Sequence, residues 1–299
     1  MVLDVSIEEN EQPVPEAIRV NPDYVPDLFT VHVDSKRILT VLTDDDGVAS
    51  KWLTEVVRTK ATNTKPPLPG APTTFPPDAI FVGLVAEEHE PSFGPSPFDS
   101  TNNTLDLLTL CVGSHCLMFE LPGSRYYWEI TDELPYDDAP KLVKAFFQNP
   151  RVVVVGTDMA KVTKRLEARH GVKVKNAVDL NQLAVKGMQR HDLDLARYGF
   201  DKLTMTVLGK EFDVIKPEPV YWYEKVGCYN RKKGLYDIDW GERLSSEKVM
   251  FNTVDAYLRL LMCFKLLEAV DGPRESSSSK KKKKSGKKKI TKRRQEGAC

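Results

Sequence analysis

The stretch LSSEKVMFNTVDAY, residues 244–257, predicts the start of a long amphipathic helix that is capped by its serine pair. Apolar residues recur in this stretch at helical spacing, and one carboxylate, Asp255, stands among them. A carboxylate in such surroundings needs a partner, because an isolated buried charge is costly. A metal ion is one candidate for that partner.

Length and composition narrow the class of protein. The 299 residues are enough for one large domain or two small ones. No apolar run reaches the roughly 20 residues that span a bilayer, and the acidic N-terminus does not resemble a secretory signal. The five cysteines are an odd number and include no C-x-x-C pair, which indicates reduced thiols in a cytosolic or nuclear protein.

The net charge of zero conceals two oppositely charged parts. Residues 274–299 hold 12 Lys/Arg and 2 acids, whereas residues 1–273 hold 31 Lys/Arg and 41 acids. The basic tail can attract phosphate from a distance, but the acidic body as a whole repels it. Eleven of the fifteen residues from 280 to 294 are basic, which favours a nuclear address or a nonspecific phosphate anchor.

The chain divides into three predicted parts. Residues 1–26 are polar and contain prolines, so we expect them to be disordered. Residues 27–271 alternate apolar strands and amphipathic helices, which predicts one α/β domain with a mixed sheet. Residues 272–299 form a Ser- and Lys-rich tail that has no means of building a core.

The order of several motifs resembles the DEDD-type 3′-5′ exonucleases, in particular the Werner-type and ribonuclease D-like members of the DEDDy group. The matching stretches are IFVGLVAEEHEP at 80–91, LLTLCVGSHCL at 107–117, VVG at 154–156 with NAVDL at 176–180, and the helix that begins near residue 246. The resemblance covers roughly residues 28–268. It implies an RNase H-like mixed sheet flanked by helices, and four carboxylates that bind two Mg²⁺ or Mn²⁺ ions at the 3′ end of a nucleic acid.

The first strand of the family carries two metal-binding acids, two residues apart. By resemblance Glu87 matches the second of them, but Val85 stands at the position of the first, which bridges both ions. An alternative register puts Ala86 and Glu88 at the two positions, and it does not restore the first acid either.

The other family positions are filled unevenly. Asp255 matches the acid of the last helix, and Phe251 stands where the family has a tyrosine that orients water. The acid of the middle helix is expected at Val162 or Ala160, and the nearest carboxylate is Asp158. By resemblance the candidate metal ligands are therefore Glu87, Asp158 and Asp255, and the candidate catalytic positions are Glu87, Asp255 and Phe251.

Each of these residues also has an ordinary structural interpretation. Glu87 can be a solvated acid in a Glu-rich loop, and Asp255 can be a buried acid that is hydrogen-bonded to a neighbouring strand. Asp158 can be the N-cap of a helix, and Phe251 can be a core residue.

An insert at residues 221–239 combines aromatic and basic side chains. It can stack bases and contact phosphates, or it can be a packed surface loop. The candidate nucleic-acid-binding residues are Tyr229, Arg231, Lys232 and Lys233.

From the sequence we expect an exonuclease-family domain that binds nucleic acid, either DNA or RNA, and has lost most or all catalysis. An active Mg²⁺- or Mn²⁺-dependent exonuclease that uses Glu87, Asp158 and Asp255 stays open, as does a nuclear protein-interaction module. If the chain is inactive, no cofactor is expected. A nuclear location is expected, with the cytoplasm as the alternative; protein partners are possible and a membrane is not expected.

Overall fold

The structure of the chain is a computed structural model. The structure describes residues 2–10, 26–62, 75–76, 78–87, 107–121, 139–218, 223–230 and 235–271. Within these ranges, no helix is long and apolar enough to cross a membrane.

A mixed eight-stranded sheet forms the centre of the fold, in the order β1-β2-β3-β6-β5-β4-β7-β8. Its strands are β1 (Val5–Glu9), β2 (Asp27–Val33), β3 (Lys36–Thr43), β4 (Ile80–Glu87), β5 (Leu107–Val112), β6 (His115–Glu120), β7 (Val152–Gly156) and β8 (Ala177–Asp179). The pairs β3–β6, β4–β7 and β7–β8 are parallel, and the remaining pairs are antiparallel. A separate antiparallel pair consists of β9 (Tyr223–Asn230) and β10 (Leu235–Leu244).

Helices cover both faces of the sheet. They are α1 (Asp46–Thr62), α2 (Lys141–Gln148), α3 (Met159–His170), α4 (Leu180–Met188), α5 (Phe200–Leu208) and α6 (Ser246–Asp271). One core joins α1, α2 and α3 to one face of β4, which includes Val82 and Leu84. Two others join α4, α5 and α6 to the opposite face, through residues such as Val85 and Val155. This division follows from the two-residue period of strands.

The α/β class with an RNase H-like mixed sheet, predicted from the sequence, is confirmed. Strands β6-β5-β4-β7-β8 form its central part, with β4 in the middle and β5 antiparallel to it. The apolar runs of β4 and β7 suit strands that are covered on both faces, and every residue of β7 is buried.

Three parts of the chain differ from the prediction. The prediction of disorder for residues 1–26 is wrong for Val5–Glu9, which pairs with β2 at the sheet edge because Val5 and Ile7 pack against the core beneath α6. Residues 180–188 form a helix that was not predicted, and its first turn is capped by Asp179. The predicted insert at 221–239 overlaps an antiparallel pair, β9 and β10, of which β10 continues to Leu244. Residues 11–25 and the tail at 272–299 lie outside the described residues.

Helix α6 crosses the centre of the sheet at Gly83 of β4. A Cβ atom on Gly83 would stand 2.0 Å from the carbonyl oxygen of Ala256. The absence of a side chain at Gly83 therefore sets how closely α6 approaches β4, and with it the depth of every group that α6 presents to the strand.

We predict that Gly83→Ala destabilises the fold by about 3 kcal/mol or more, because the backbone of α6 must move away from the sheet. Gly199→Ala is the control, since a Cβ atom there meets nothing within 4 Å. The free energy of unfolding in urea measures both effects. Equal stability of the two variants would contradict the close approach of α6.

Candidate functional site

Glu87 ends strand β4 and is buried, with 8% of its surface exposed. It therefore lies in the strand and is not a solvated acid in the loop that follows. Its Oε2 accepts hydrogen bonds from Lys248 Nζ and from Asn252 Nδ2, the latter at 2.7 Å. Its Oε1 pairs with Lys216 Nζ at 2.7 Å. Both oxygens are thus held by protein groups.

Lys248 is fully buried, which is rare for a lysine. It lies in the first turn of α6, where the helix brings it against the end of β4. Lys216, in contrast, reaches Glu87 from the segment after α5, and 55% of its side chain is exposed. One lysine is therefore enclosed with the carboxylate, while the other covers it from the solvent side.

The protonation of this cluster follows from burial and charge. Burial alone would raise the pKa of Glu87, but the charges of Lys248 and Lys216 and their hydrogen bonds hold it below its usual value. Burial lowers the pKa of Lys248 to about 8, against the opposing attraction of Glu87. At pH 7 the pair is therefore an ionised carboxylate and an ammonium.

Asp255 lies two helical turns after Lys248 and is also buried, with 5% exposed. Arg259 clasps it from the next turn, with Nε 2.6 Å from Oδ1 and Nη2 3.0 Å from Oδ2. Arg259 Nη1 also donates to Thr157 Oγ1 at 3.0 Å, so it links α6 to the end of β7. Burial raises the pKa of Asp255, although the ion pair with Arg259 opposes this effect.

Phe251 borders the same cluster. Its ring packs against Phe212 with the centroids 5.4 Å apart. The Nζ atoms of Lys216 and Lys248 lie 5.8 and 6.0 Å from its centroid, within the range of cation–π attraction. Phe251 is 7% exposed, so at this position the ring serves packing and contacts cations.

Of the predicted metal ligands, Glu87 and Asp255 are buried and paired with cations of one cluster, whereas Asp158 is an exposed residue beside Thr157, which Arg259 contacts. The charge of Glu87 adds to the rise that burial causes in the pKa of Asp255, and the charge of Asp255 partly opposes the lowering of the pKa of Lys248 by burial. Asp158 is exposed, adopts a left-handed backbone with φ 51°, and precedes α3 without making a side-chain cap. The N–H of Met159 is bound instead by Asp179 Oδ2 at 3.1 Å.

The remaining predicted positions fall into two groups. Val85, at the position of the bridging acid, is buried among the apolar residues beneath α6, and Val162 packs against the core of α1–α3. Tyr229 lies in β9 opposite Tyr236, while residues 231–233 lie outside the described residues.

The side chains of the cluster do not fit a divalent metal ion. Both oxygens of Glu87 and both of Asp255 are engaged by cationic groups, and Val85 supplies no donor. Among the described residues no group of three His, Cys, Asp or Glu side chains could hold a metal. Asn252 Oδ1 is the one buried acceptor of this cluster without a described partner, and a single neutral oxygen is not a metal site.

Sequence reasoning missed the cations that fill the cluster. Arg259 follows Asp255 by four residues, and Lys248 and Asn252 precede it by seven and three, so all four lie on one side of a helix. That spacing could have predicted from the sequence that these side chains lie together. Lys216 had no such signal, because only the tertiary fold brings residues 210–218 to β4.

We predict that Lys248→Met lowers the free energy of unfolding by about 3–5 kcal/mol, because it leaves a buried carboxylate without its enclosed partner. Lys216→Ala, at an exposed position, is expected to cost about 1 kcal/mol or less. The double variant Glu87→Gln/Lys248→Met should recover much of the lost stability. Urea denaturation of these variants and of Glu87→Gln alone measures this, and a loss in the double variant equal to the sum of the Glu87→Gln and Lys248→Met losses would contradict the pairing.

The depressed pKa of Glu87 predicts a stability contribution that depends on acid pH. The contribution is complete above about pH 4.3, the ordinary value for glutamate, and it is lost as the pH falls through the lower value in the folded state. Unfolding free energies measured from pH 6 to pH 2.5 should fall less steeply below about pH 4.3 for Glu87→Gln than for the wild type. Parallel curves would show that Glu87 is not held as a carboxylate.

Comparisons with known proteins found similarity to solved structures, at low identity. No family model matches the sequence, and no curated protein matches it. The chain is similar to the exonuclease domain of EXD2 soaked in Mn and GMP, with 16% identity, 77% of this chain and 90% of that chain covered, and a TM-score of 0.34. The same domain soaked in Mg and GMP is 13% identical, with 76% of this chain and 87% of that chain covered and a TM-score of 0.34. The catalytic core of RRP6 from Trypanosoma brucei is 11% identical, with 77% of this chain and 46% of that chain covered and a TM-score of 0.45.

Proposed function

We propose that this chain is a degenerate 3′-5′ exonuclease domain that binds nucleic acid and does not hydrolyse it. The observation that carries the proposal is the state of the two acids. Glu87 is bound by Lys248 and Lys216, and Asp255 is bound by Arg259, so side-chain cations neutralise the carboxylates. An ion could bind only if these pairs were broken inside the fold.

The loss of catalysis follows from the chemistry of two-metal hydrolysis. The metals activate the attacking water and stabilise the leaving oxygen. An ammonium group has no coordination position at which it could bind water or the leaving oxygen in this way. Removing a single group that supports transition-state charge costs about 10²–10³ in rate. Here Val85 removes the bridging ligand, and Phe251 lacks the hydroxyl of the family tyrosine.

Nucleic-acid binding without metal is supported by charge. The cluster has three cations, Lys216, Lys248 and Arg259, against two carboxylates, and about half of the Lys216 side chain is exposed. The basic residues of 280–294 add a long-range attraction for phosphate. The same basic stretch supports a nuclear location as part of the proposal.

We predict that the purified chain shifts a labelled 20-nucleotide strand in EDTA and leaves it intact in Mg²⁺ or Mn²⁺. Fluorescence anisotropy measures the binding, and gel electrophoresis after overnight incubation measures cleavage. Calorimetric titration with Mn²⁺ should give no binding heat at the cluster.

The control is the pair of variants Glu87→Gln and Asp255→Asn. Cleavage that persists in both variants comes from a contaminating nuclease. Cleavage that both abolish would show a working exonuclease and overturn the proposal. A chain that does not bind the strand would overturn the nucleic-acid role and favour a protein-interaction module.

A further inference from the structure

Helix α3 and the segment after it carry a concentration of positive charge on an acidic body. Residues 159–175 contain six Lys/Arg and one acid, although residues 1–273 together have ten more acids than bases. Four of the six basic residues lie within α3 itself: Lys161, Lys164, Arg165 and Arg169.

These four residues share one side of the helix. Met159, Leu166 and His170 are buried against the sheet, whereas Lys161 and Lys164 are exposed. Arg165 and Arg169 are half-buried and follow at the spacing of three or four that aligns side chains along a helix. With a rise of 1.5 Å per residue, the charges extend over about 12 Å. We call this set the α3 basic face.

The stability of α3 does not require this pattern. Like charges three or four residues apart destabilise a helix, and Lys161 lies in the first turn, where the helix dipole disfavours a cation. Glu167, the one acid of α3, forms its ion pair with Lys173, which lies beyond the helix, at 3.4 Å. Arg169, in the last turn, is favoured by the same dipole, so it is the two exposed lysines at the start of α3, Lys161 and Lys164, that the stability of the helix does not explain.

We infer that the α3 basic face is a docking surface for the phosphate backbone of a nucleic-acid strand. The helix begins two residues after Thr157, which is hydrogen-bonded to Arg259 of the cluster. A strand that lies along α3 can therefore run up to the cluster that holds Glu87 and Asp255. Phosphate contacts of this kind position the strand without reading its sequence.

This inference rests on the proposed function and locates the binding in the folded body rather than in the tail. The test compares the full-length double variant Lys161→Glu/Lys164→Glu with the full-length control Lys186→Glu/Lys265→Glu. The control changes two exposed lysines on α4 and α6, on the opposite face of the sheet, by the same charge. Both proteins keep residues 280–294, so attraction by the tail is equal.

Anisotropy of a labelled 20-nucleotide strand is measured in EDTA from 50 to 300 mM salt, and thermal unfolding verifies that both variants fold. We expect Lys161→Glu/Lys164→Glu to weaken binding about tenfold or more at the lowest salt and to lower the salt slope by about 1 to 2. The control should stay within about twofold of the wild type. Lys161→Gln/Lys164→Gln should give a smaller loss in the same direction.

Three results are possible and each decides the inference. If the wild type binds the strand and Lys161→Glu/Lys164→Glu loses no more affinity than the control Lys186→Glu/Lys265→Glu, the α3 basic face is not the docking surface. The proposed function would still stand. An absence of wild-type binding would overturn both. If Lys161→Glu/Lys164→Glu loses binding to phosphatidylserine vesicles but keeps oligonucleotide binding, the face would be reassigned to an anionic membrane surface.

Discussion

The burial of one carboxylate at the end of β4 constrains the rest of the structure. Glu87 can be enclosed only if a cation is enclosed with it, because an unpaired buried charge costs several kcal/mol. Lys248 meets this need from α6, and so the helix must have one register against the strand. Gly83 faces Ala256, and Glu87 meets Asn252 and Lys248. From Gly83 to Glu87 the strand rises about 13 Å, and from Ala256 to Lys248 the helix rises about 12 Å, so steric fit and charge agree on the same alignment.

Most of the fold could be predicted from local patterns. The apolar runs of β4 and β7 and the helical spacing of α3 and α6 are strong signals, since burial on one or both faces fixes the residue period. Strand β1 was missed because a short edge strand with exposed acids resembles a polar terminus. The proximity of Glu87 and Asp255 came from the family resemblance alone, because nothing local connects residues so far apart in the sequence. The same holds for the cations that bind them. Arg259 could be predicted as the partner of Asp255 from its helical spacing, whereas the pairing of Lys216 with Glu87 depends on the tertiary fold.

A tethered cation and a metal ion solve the same electrostatic problem with different consequences. A divalent ion is bound and released with its concentration, keeps open positions for water and substrate, and carries two charges. Lys248 carries one charge, is fully buried, and stays attached to the helix that it stabilises. The cluster therefore belongs to the folding core, and of its cations Lys216 is the one that reaches solvent to a large extent.

The two enclosed ion pairs also restrict which sequences are accessible from this one. An acid at Val85 alone would add a negative charge to an apolar cluster, and loss of Lys248 alone would leave Glu87 uncompensated. Removal of Arg259 would free Asp255 and also break the link to Thr157. Each of these three substitutions, made alone, leaves a buried charge without compensation. The charges that keep α6 in place therefore also oppose the single substitutions that would free the two carboxylates.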